Sequence, residues 1–413
     1  MKKNIVKRML SLGMAIGLLL VSNTGITVKA EDNKSDETYV IKIANSNTPF
    51  TNINGQDVLD AVNAGCYSFK NYVEQNSGGR ITVEIYDSGV LGGSSEGLSQ
   101  CMQNVVQACV TGDGELSTLY PKLQVLCVPY LFNNRIEFYN TLDSVWMASL
   151  FEDMRMELGI RLMASSDNGG FRSISNNTRE IKTAADLKGL KIRSMEIPAY
   201  TTMLESMGAT ATPIAWAELY TSLQTGVVDG QENPPANVLN GSLQEVQKYY
   251  TLDQHSISSL VLMLNDSFYQ SLPEDLQQVV TMGGIVAQES MRGANCANEE
   301  LALQGLKESG MAIYIPSEEE KATFQDASQE PVLKWLKGEI GDEYVDGFMT
   351  AVEEAKAGKG IAAAGAASVT VSERASAGNA LDTRLAVACI VAGFSVLFAI
   401  FTLVRGKKRE EQF

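Results

Sequence analysis

Histidine is almost missing from this chain: His255 is the only one in 413 residues. Histidine-centred acid–base catalysis and a multi-histidine metal site are therefore disfavoured, and His255 itself reads as a structural or hinge-side residue. The six cysteines, Cys66, Cys101, Cys109, Cys127, Cys296 and Cys389, include no C-x-x-C, so neither a zinc ribbon nor a thioredoxin-type motif is supported. They read as buried free thiols. Cys101 and Cys109 are expected two turns apart on one helix, too far apart to bond, although an even count in an exported chain keeps disulfides open. Also absent are G-x-S-x-G, H-E-x-x-H and a Walker loop. Gly112-Asp113-Gly114 is only a loop, and the acidic run 318–320 reads as a solvated helix face. No enzyme and no cofactor is implied. Basic charge is scarce: 33 Lys and Arg stand against 49 Asp and Glu, a net charge of −16. Nucleic acid needs clustered Lys and Arg and is disfavoured as a partner. An anionic ligand would have to be drawn by particular arginines rather than by the field of the whole molecule.

Apolar residues make up 45% of the chain, ordinary for a sizeable core, and the length allows more than one lobe. Residues 1–30 place Lys2, Lys3, Lys7 and Arg8 ahead of an apolar stretch at 9–21, with Val28-Lys29-Ala30 as a cleavage point. They read as a secretory signal peptide. Residues 357–384 are rich in Ala, Gly and Ser and read as a flexible linker. Residues 385–404 are an uninterrupted apolar run, long enough as a helix to cross roughly 30 Å of hydrocarbon. Arg405, Lys407, Lys408 and Arg409 follow at once, which makes 405–413 a cytoplasmic basic tail and leaves the bulk of the chain outside. The expected location is extracytoplasmic, anchored to the cell membrane through the C-terminal helix.

Between these ends the chain is organised around residues 169–234. Thr183 and Asp186 are spaced as a capping box for a short helix that Gly189 ends. Residues 190–195 read as a strand carrying Arg193, 198–207 as a helix, 209–214 as a strand and 216–224 as a helix. Asn233 looks like an N-cap with Pro234 at the first helical position. Such alternation implies a parallel α/β sheet, with ligands beyond the carboxyl ends of its strands. Elsewhere, strands are expected at 39–44, 80–86, 160–165, 249–253, 260–264 and 311–315. Helices are expected at 55–76, 135–158 and 318–355. Ser271, Pro273 and Glu274 open a long helix towards Gly310, unless Gly283-Gly284 or Gly293 breaks it in two.

Four pieces in order, Gly170-Phe171-Arg172, Asp186 to Arg193 (DLKGLKIR), Ala217-Glu218-Leu219-Tyr220 and Asp229 to Pro234 (DGQENP), closely resemble the solute-binding subunits of tripartite ATP-independent periplasmic (TRAP) transporters, the DctP-like family. Pro129-Tyr130-Leu131-Phe132 adds a fifth. The resemblance implies an α/β, two-lobed, periplasmic-binding-protein-like fold with an interlobe cleft and a long helix contacting both lobes. Lobe I is expected at 39–169 and 259–298, lobe II at 170–258 and 299–356. It also implies a small organic carboxylate as ligand, a sugar acid, uronate or dicarboxylate, and the membrane subunits of a TRAP permease as partners. A ligand-sensing subunit of a signalling receptor is the alternative. The tail anchor departs from the usual pattern of the family.

By the same resemblance, Arg193 pairs with the ligand carboxylate, for which its planar fork is suited; without the family, an ion pair with Glu196 is the plain reading. Arg172 matches a second ligand-reaching arginine, or else a hinge-side salt bridge. Asn233 matches an asparagine whose amide can serve a carboxylate or a hydroxyl, and Trp216 stands where relatives carry phenylalanine and could cover a ligand's apolar side. Asp113, with Glu115 and Asn47, is a weaker candidate from the first lobe. Glu196 could accept the hydroxyls of a sugar acid or oppose a second carboxylate. No metal site is expected.

Overall fold

The computed structural model describes residues 37–53 and 55–362. The expected signal peptide, most of the expected linker, the run expected to cross the membrane and the expected cytoplasmic tail lie outside the described residues. Among the described residues no helix is long and apolar enough to cross a membrane.

Eleven strands occur among the described residues: β1 Tyr39–Ala44, β2 Phe50–Ile53, β3 Gln56–Leu59, β4 Ile81–Tyr86, β5 Ala108–Gly112, β6 Ile160–Asn176, β7 Lys191–Ser194, β8 Thr210–Pro213, β9 Gly230–Asn233, β10 Tyr249–Asn265 and β11 Ala312–Tyr314. Nine of them form one sheet in the order β4-β1-β5-β10-β6-β9-β7-β8, with β11 also on β10, while β2 and β3 form a separate hairpin. The sheet is mixed, not parallel as the alternation of strands and helices implied. β1 runs parallel to β4 and β5, and β7 parallel to β8 and β9. The two central strands are antiparallel to each other, and each is antiparallel to its outer neighbour, β10 to β5 and β6 to β9.

Those two strands hold the sheet together. Each has 17 residues, and each was expected only in shorter pieces, 160–165 for β6 and two separate strands for β10. At one end Leu260 faces Ser166 and Leu264 faces Arg161; at the other Tyr249 faces Asn176. Between the two ends the register slips, between Thr251 and Ser256 and again between Ile257 and Ser259. The slip coincides with Gly169 and Gly170 at φ +87° and +108° and with Gln254 at φ +53°. Glycine takes this backbone without strain, and an unpaired extra residue kinks a strand. The polar, glycine-broken middle hides the continuity of both strands in the sequence.

The Glu274–Glu308 helix is unbroken. A Cβ on Gly284 would stand 2.5 Å from the Met163 carbonyl oxygen and one on Gly283 2.6 Å from Val73, so these glycines serve close packing rather than interruption. Its start differs from expectation. Pro273 is the N-cap residue and no side chain caps the helix; Ser271 instead ends the preceding helix and bonds to Phe268 O at 2.6 Å. The buried stripe of this helix contributes Leu276, Val280, Ala287 and Met291 to a cluster with Ile41, Phe69 and Val83. Further along it gives Ala302 and Leu306 to another with Leu219, Leu239 and Tyr250.

Other boundaries moved for local reasons. The helix expected at 55–76 is the β2–β3 hairpin followed by a helix at Ala61–Asn76, where Asp60 accepts from Val62 N and Asn63 N at 3.1 Å. The helix expected at 135–158 is two, Arg135–Leu142 and Val145–Leu158, because Ser144 caps the second through Met147 N. Gly341, at φ +93°, divides the last helical stretch into Glu318–Ile340 and Asp342–Lys356. Residues 360 and 362, expected within the linker, are instead bonded to the helical region: Gly360 O accepts from Val145 N at 2.8 Å and Ala362 N donates to Asp143 O at 2.8 Å. Cys101 lies on a helix and Cys109 on β5, so they do not share one. All five cysteines among the described residues are free thiols, only Cys296 being exposed.

Candidate functional site

β7 is four residues long and flanked by β8 and β9, with Arg193 opposite Thr212 on one side and Gln231 on the other. The Thr183–Asp186 capping box forms as its spacing indicates, and Gly189 and Gly208 supply the positive φ at the ends of the connections on either side. Arg193 is thereby drawn into the protein, with 3% of its surface exposed. Its Nε donates to Ile214 O at 2.8 Å. It takes part in no ion pair among the described residues, so its two terminal amino groups carry a positive charge that no carboxylate contacts. Burial, reinforced by the charge of Arg172, lowers its pKa to about 10, against the pull of Glu232, Glu115 and Glu196; it remains a cation at neutral pH.

Arg172 lies in the opposite situation. Its Nε donates to Glu232 Oε2 at 2.5 Å, and Nη2 donates to Oε1 at 2.9 Å and to the Glu232 carbonyl at 2.7 Å. Nη1 reaches Ser258 Oγ at 3.2 Å, and the guanidinium sits 5.6 Å from the centre of the Tyr200 ring. Glu232 Oε2 also lies 3.3 Å from His255 Nε2, and His255 Nδ1 is 2.8 Å from Asp253 Oδ2. Asp253 accepts from Ile174 N and from the Tyr130 hydroxyl, both at 3.1 Å. Two cations and two anions thus alternate in a chain that is buried throughout. Burial works against both charges at its centre. The Arg172 guanidinium and His255 nevertheless hold Glu232 down to about 2, and Asp253 and Glu232 lift His255 to about 9.

Asp113 opens the helix Asp113–Leu119 and accepts from Ser259 N at 2.8 Å. Burial raises its pKa to about 7, only partly offset by that bond and by Arg172, so near neutrality it can donate or accept. Glu115 is held by Gly112 N at 3.1 Å. A Cβ on Gly114 would touch Ile197 at 3.4 Å and Met195 at 3.8 Å. The start of this helix therefore abuts the turn that follows Arg193.

Asn233 does not cap a helix. It is the last residue of β9, paired with Ser173, and Nδ2 donates to Gln231 Oε1 at 2.5 Å. Pro234 is the cap and Pro235 the first helical residue. Trp216 is 43% exposed and packs against Gly241, where a Cβ would meet the indole at 2.9 Å. Glu196 is exposed and makes no ion pair with Arg193, although its charge acts on it. Asn47 lies apart, lining a pocket that none of the arginines lines. Glu232, Asp253, Tyr130 and Tyr200 were not singled out from the sequence. Glu232 could have been, had 230–233 been read as a strand, since alternation then sets it on the opposite face from its neighbours.

The geometry separates a neutralised arginine from one left with excess charge in a buried position, and several lines of likeness bear on what that serves. Residues 59–338 match the family model of bacterial extracellular solute-binding protein, family 7, known as DctP. The 2,3-diketo-L-gulonate-binding periplasmic protein YiaO of Escherichia coli is 27% identical over 271 residues, 65% of this chain and 80% of that protein. A TRAP periplasmic solute-binding protein from a Sulfitobacter species, solved with bound β-D-galacturonate, superposes with a TM-score of 0.69 at 27% identity, covering 76% of this chain and 99% of that one. The sugar-acid-binding protein of Advenella mimigardefordensis in complex with galactonate gives a TM-score of 0.71 at 26% identity over 77% and 99% of the two chains. The chain belongs to family 7 of the bacterial extracellular solute-binding proteins, the DctP family, whose members bind solutes rather than transform them.

Proposed function

We propose that this protein captures a sugar acid or related organic carboxylate through a two-pronged contact with Arg193 and delivers it to a TRAP permease. One observation carries the reading: Arg193 is a buried guanidinium without a carboxylate partner. An unpaired buried charge is strongly unfavourable unless something neutralises it, and a ligand carboxylate does so with matching geometry. The galacturonate and galactonate bound in two solved relatives carry such a group. In this reading Arg172, fixed by Glu232, offers its remaining N–H to the same carboxylate. Asn233 and Asp113 serve the hydroxyls, and Trp216 and Glu196 move in at the rim. The lobes are residues 39–169 with 259–298 and 170–258 with 299–356, and they close about the register slip of β6 and β10. The apolar run 385–404, outside the described residues, tethers the protein to the membrane with the binding domain extracytoplasmic.

Calorimetric titration with galactonate and galacturonate tests the anchor. Arg193→Lys keeps the charge and loses the fork, so affinity should fall by at least about tenfold, a loss of about 1.4 kcal/mol or more. Arg193→Ala should bind more weakly still. Near-wild-type affinity in both variants would move the carboxylate elsewhere, Arg172 first.

A further inference from the structure

The β2–β3 hairpin belongs to one core by sequence and to another by packing. On either side of it, β1 buries Ile41 and Ile43, and the Ala61–Asn76 helix buries Val62 and Phe69, in one and the same cluster. Between them the chain leaves that cluster. Ile53 is buried instead with Leu239, Tyr250 and Leu306, and Val58 packs against the same group. The seat for Ile53 exists because residue 305 of the long helix is glycine: a Cβ there would stand 3.0 Å from Ile53 Cγ2 and 2.9 Å from Leu239 Cδ1. Hydrogen bonds tie both ends of the excursion. Thr48 Oγ1 donates to Asn240 Oδ1 at 2.9 Å, and Asn298 Nδ2 donates to Leu59 O at 2.9 Å.

The excursion crosses the register slip. Thr51, Ile53 and Val58 line the same narrow gap as Asn168 and Gly169, which stand between the β10-paired residues Asp167 and Phe171. The hold on the hairpin is light. Among its described residues only Ile53 is buried, while Phe50, Asn52, Gln56 and Asp57 are exposed. A two-stranded hairpin is marginal by itself, so this one stays in place by docking and can let go as a unit. Arg193 and Asp113, by contrast, are closed off in this arrangement, at 3% and 2% exposure. A ligand reaches them only when the lobes part.

We propose, given the lobe closure argued above, that the β2–β3 hairpin is a releasable strap: docked at Gly305 it holds the lobes together across the slip of β6 and β10, and its release sets the rate at which ligand enters and leaves. Opening carries the seat formed by Leu239 and Leu306 away from β1 and the Ala61–Asn76 helix. The hairpin is continuous with those two elements at its ends and does not follow the seat. Undocking exposes one isoleucine and hands two hydrogen-bonding pairs to water, a small local event of the kind that gates a closed site.

Thr48→Cys with Asn240→Cys, in a background of Cys296→Ser and Cys389→Ser, lets the full-length protein be fastened by a short bis-methanethiosulfonate linker and freed again by dithiothreitol. Amide exchange needs no ligand. With the linker on, residues 167–171 and 252–257 should exchange at least about tenfold more slowly than after its removal. Stopped-flow mixing with galactonate should show association and dissociation both slowed about tenfold or more, and both restored by dithiothreitol. Ile53→Ala, which leaves the strap undocked, should raise the dissociation rate about tenfold. The proposal fails if the linker protects residues 50–59 alone, if it leaves both galactonate rates unchanged, or if Ile53→Ala, folded, releases galactonate as the wild type does. If galactonate does not bind even the unlinked protein, the proposed ligand is wrong, and exchange at 167–171 and 252–257 still decides the strap.

Discussion

At the scale of single residues, the two arginines were legible as a pair of candidates but not as different things. Which of them is neutralised depends on the strand character of 230–233, which sets Glu232 against Arg172, and a four-residue strand leaves little pattern to read. The difference has consequences for stability. Arg193→Met keeps the volume and removes the unneutralised charge, so the ligand-free protein should become more stable by about 1–2 kcal/mol while losing acid binding. Glu232→Gln should do the reverse, leaving Arg172 and His255 facing each other, at a loss of about 3–5 kcal/mol. Urea midpoints of the two variants check both signs. His255 adds a pH dependence. Its folded pKa is lifted to about 9 from the usual 6.5, so the folded state holds the extra proton. That stabilisation is complete below about 6.5 and disappears as pH rises through 9. Glu232 contributes oppositely, keeping its share above its ordinary 4.5 and losing it only as pH falls through about 2. Denaturation midpoints should therefore decline between pH 6.5 and 9. His255→Asn should flatten that decline; an unchanged slope would assign it to other groups.

Secondary-structure elements were most legible where helices and strands alternate. The helix at Trp216–Gln224 and the capping box at Thr183 stand where the sequence puts them, because glycines and caps punctuate that stretch. The hairpin was missed, since a helix was expected to begin at Gly55, although Asn54-Gly55 is a strong two-residue turn signal in a sequence. Ile53 shows why the hairpin folds where it does. It is 7% exposed and packs with Leu239 and Leu306, far along the chain, so its burial is invisible in local periodicity. Ile53→Ala should destabilise the protein by about 2–4 kcal/mol. Amide exchange should then accelerate at residues 50–59 more than in the central sheet. A uniform increase would mean that the hairpin unfolds only with the whole molecule.

Over the whole molecule, charge and proposed ligand are at odds. The chain carries −16, and an acid approaching it is repelled at long range, while the attraction resides in a buried guanidinium shielded from distant solvent. Long-range fields between exposed charges are screened within about 8 Å at physiological ionic strength, and interactions in a closed, dry site much less so. Salt should therefore act on the two rate constants differently. Association of galactonate should become faster between low and moderate salt as the repulsion is screened, and dissociation should change little if, as proposed, the carboxylate meets Arg193 out of water. Stopped-flow measurement of both constants across a salt series separates the two. An association rate that falls with salt would show that the local field of Arg172 and Arg193 reaches beyond the cleft and outweighs the acidic surface. A dissociation rate that rises steeply with salt would place the carboxylate in an exposed position, and the closed cleft would then not be its binding site.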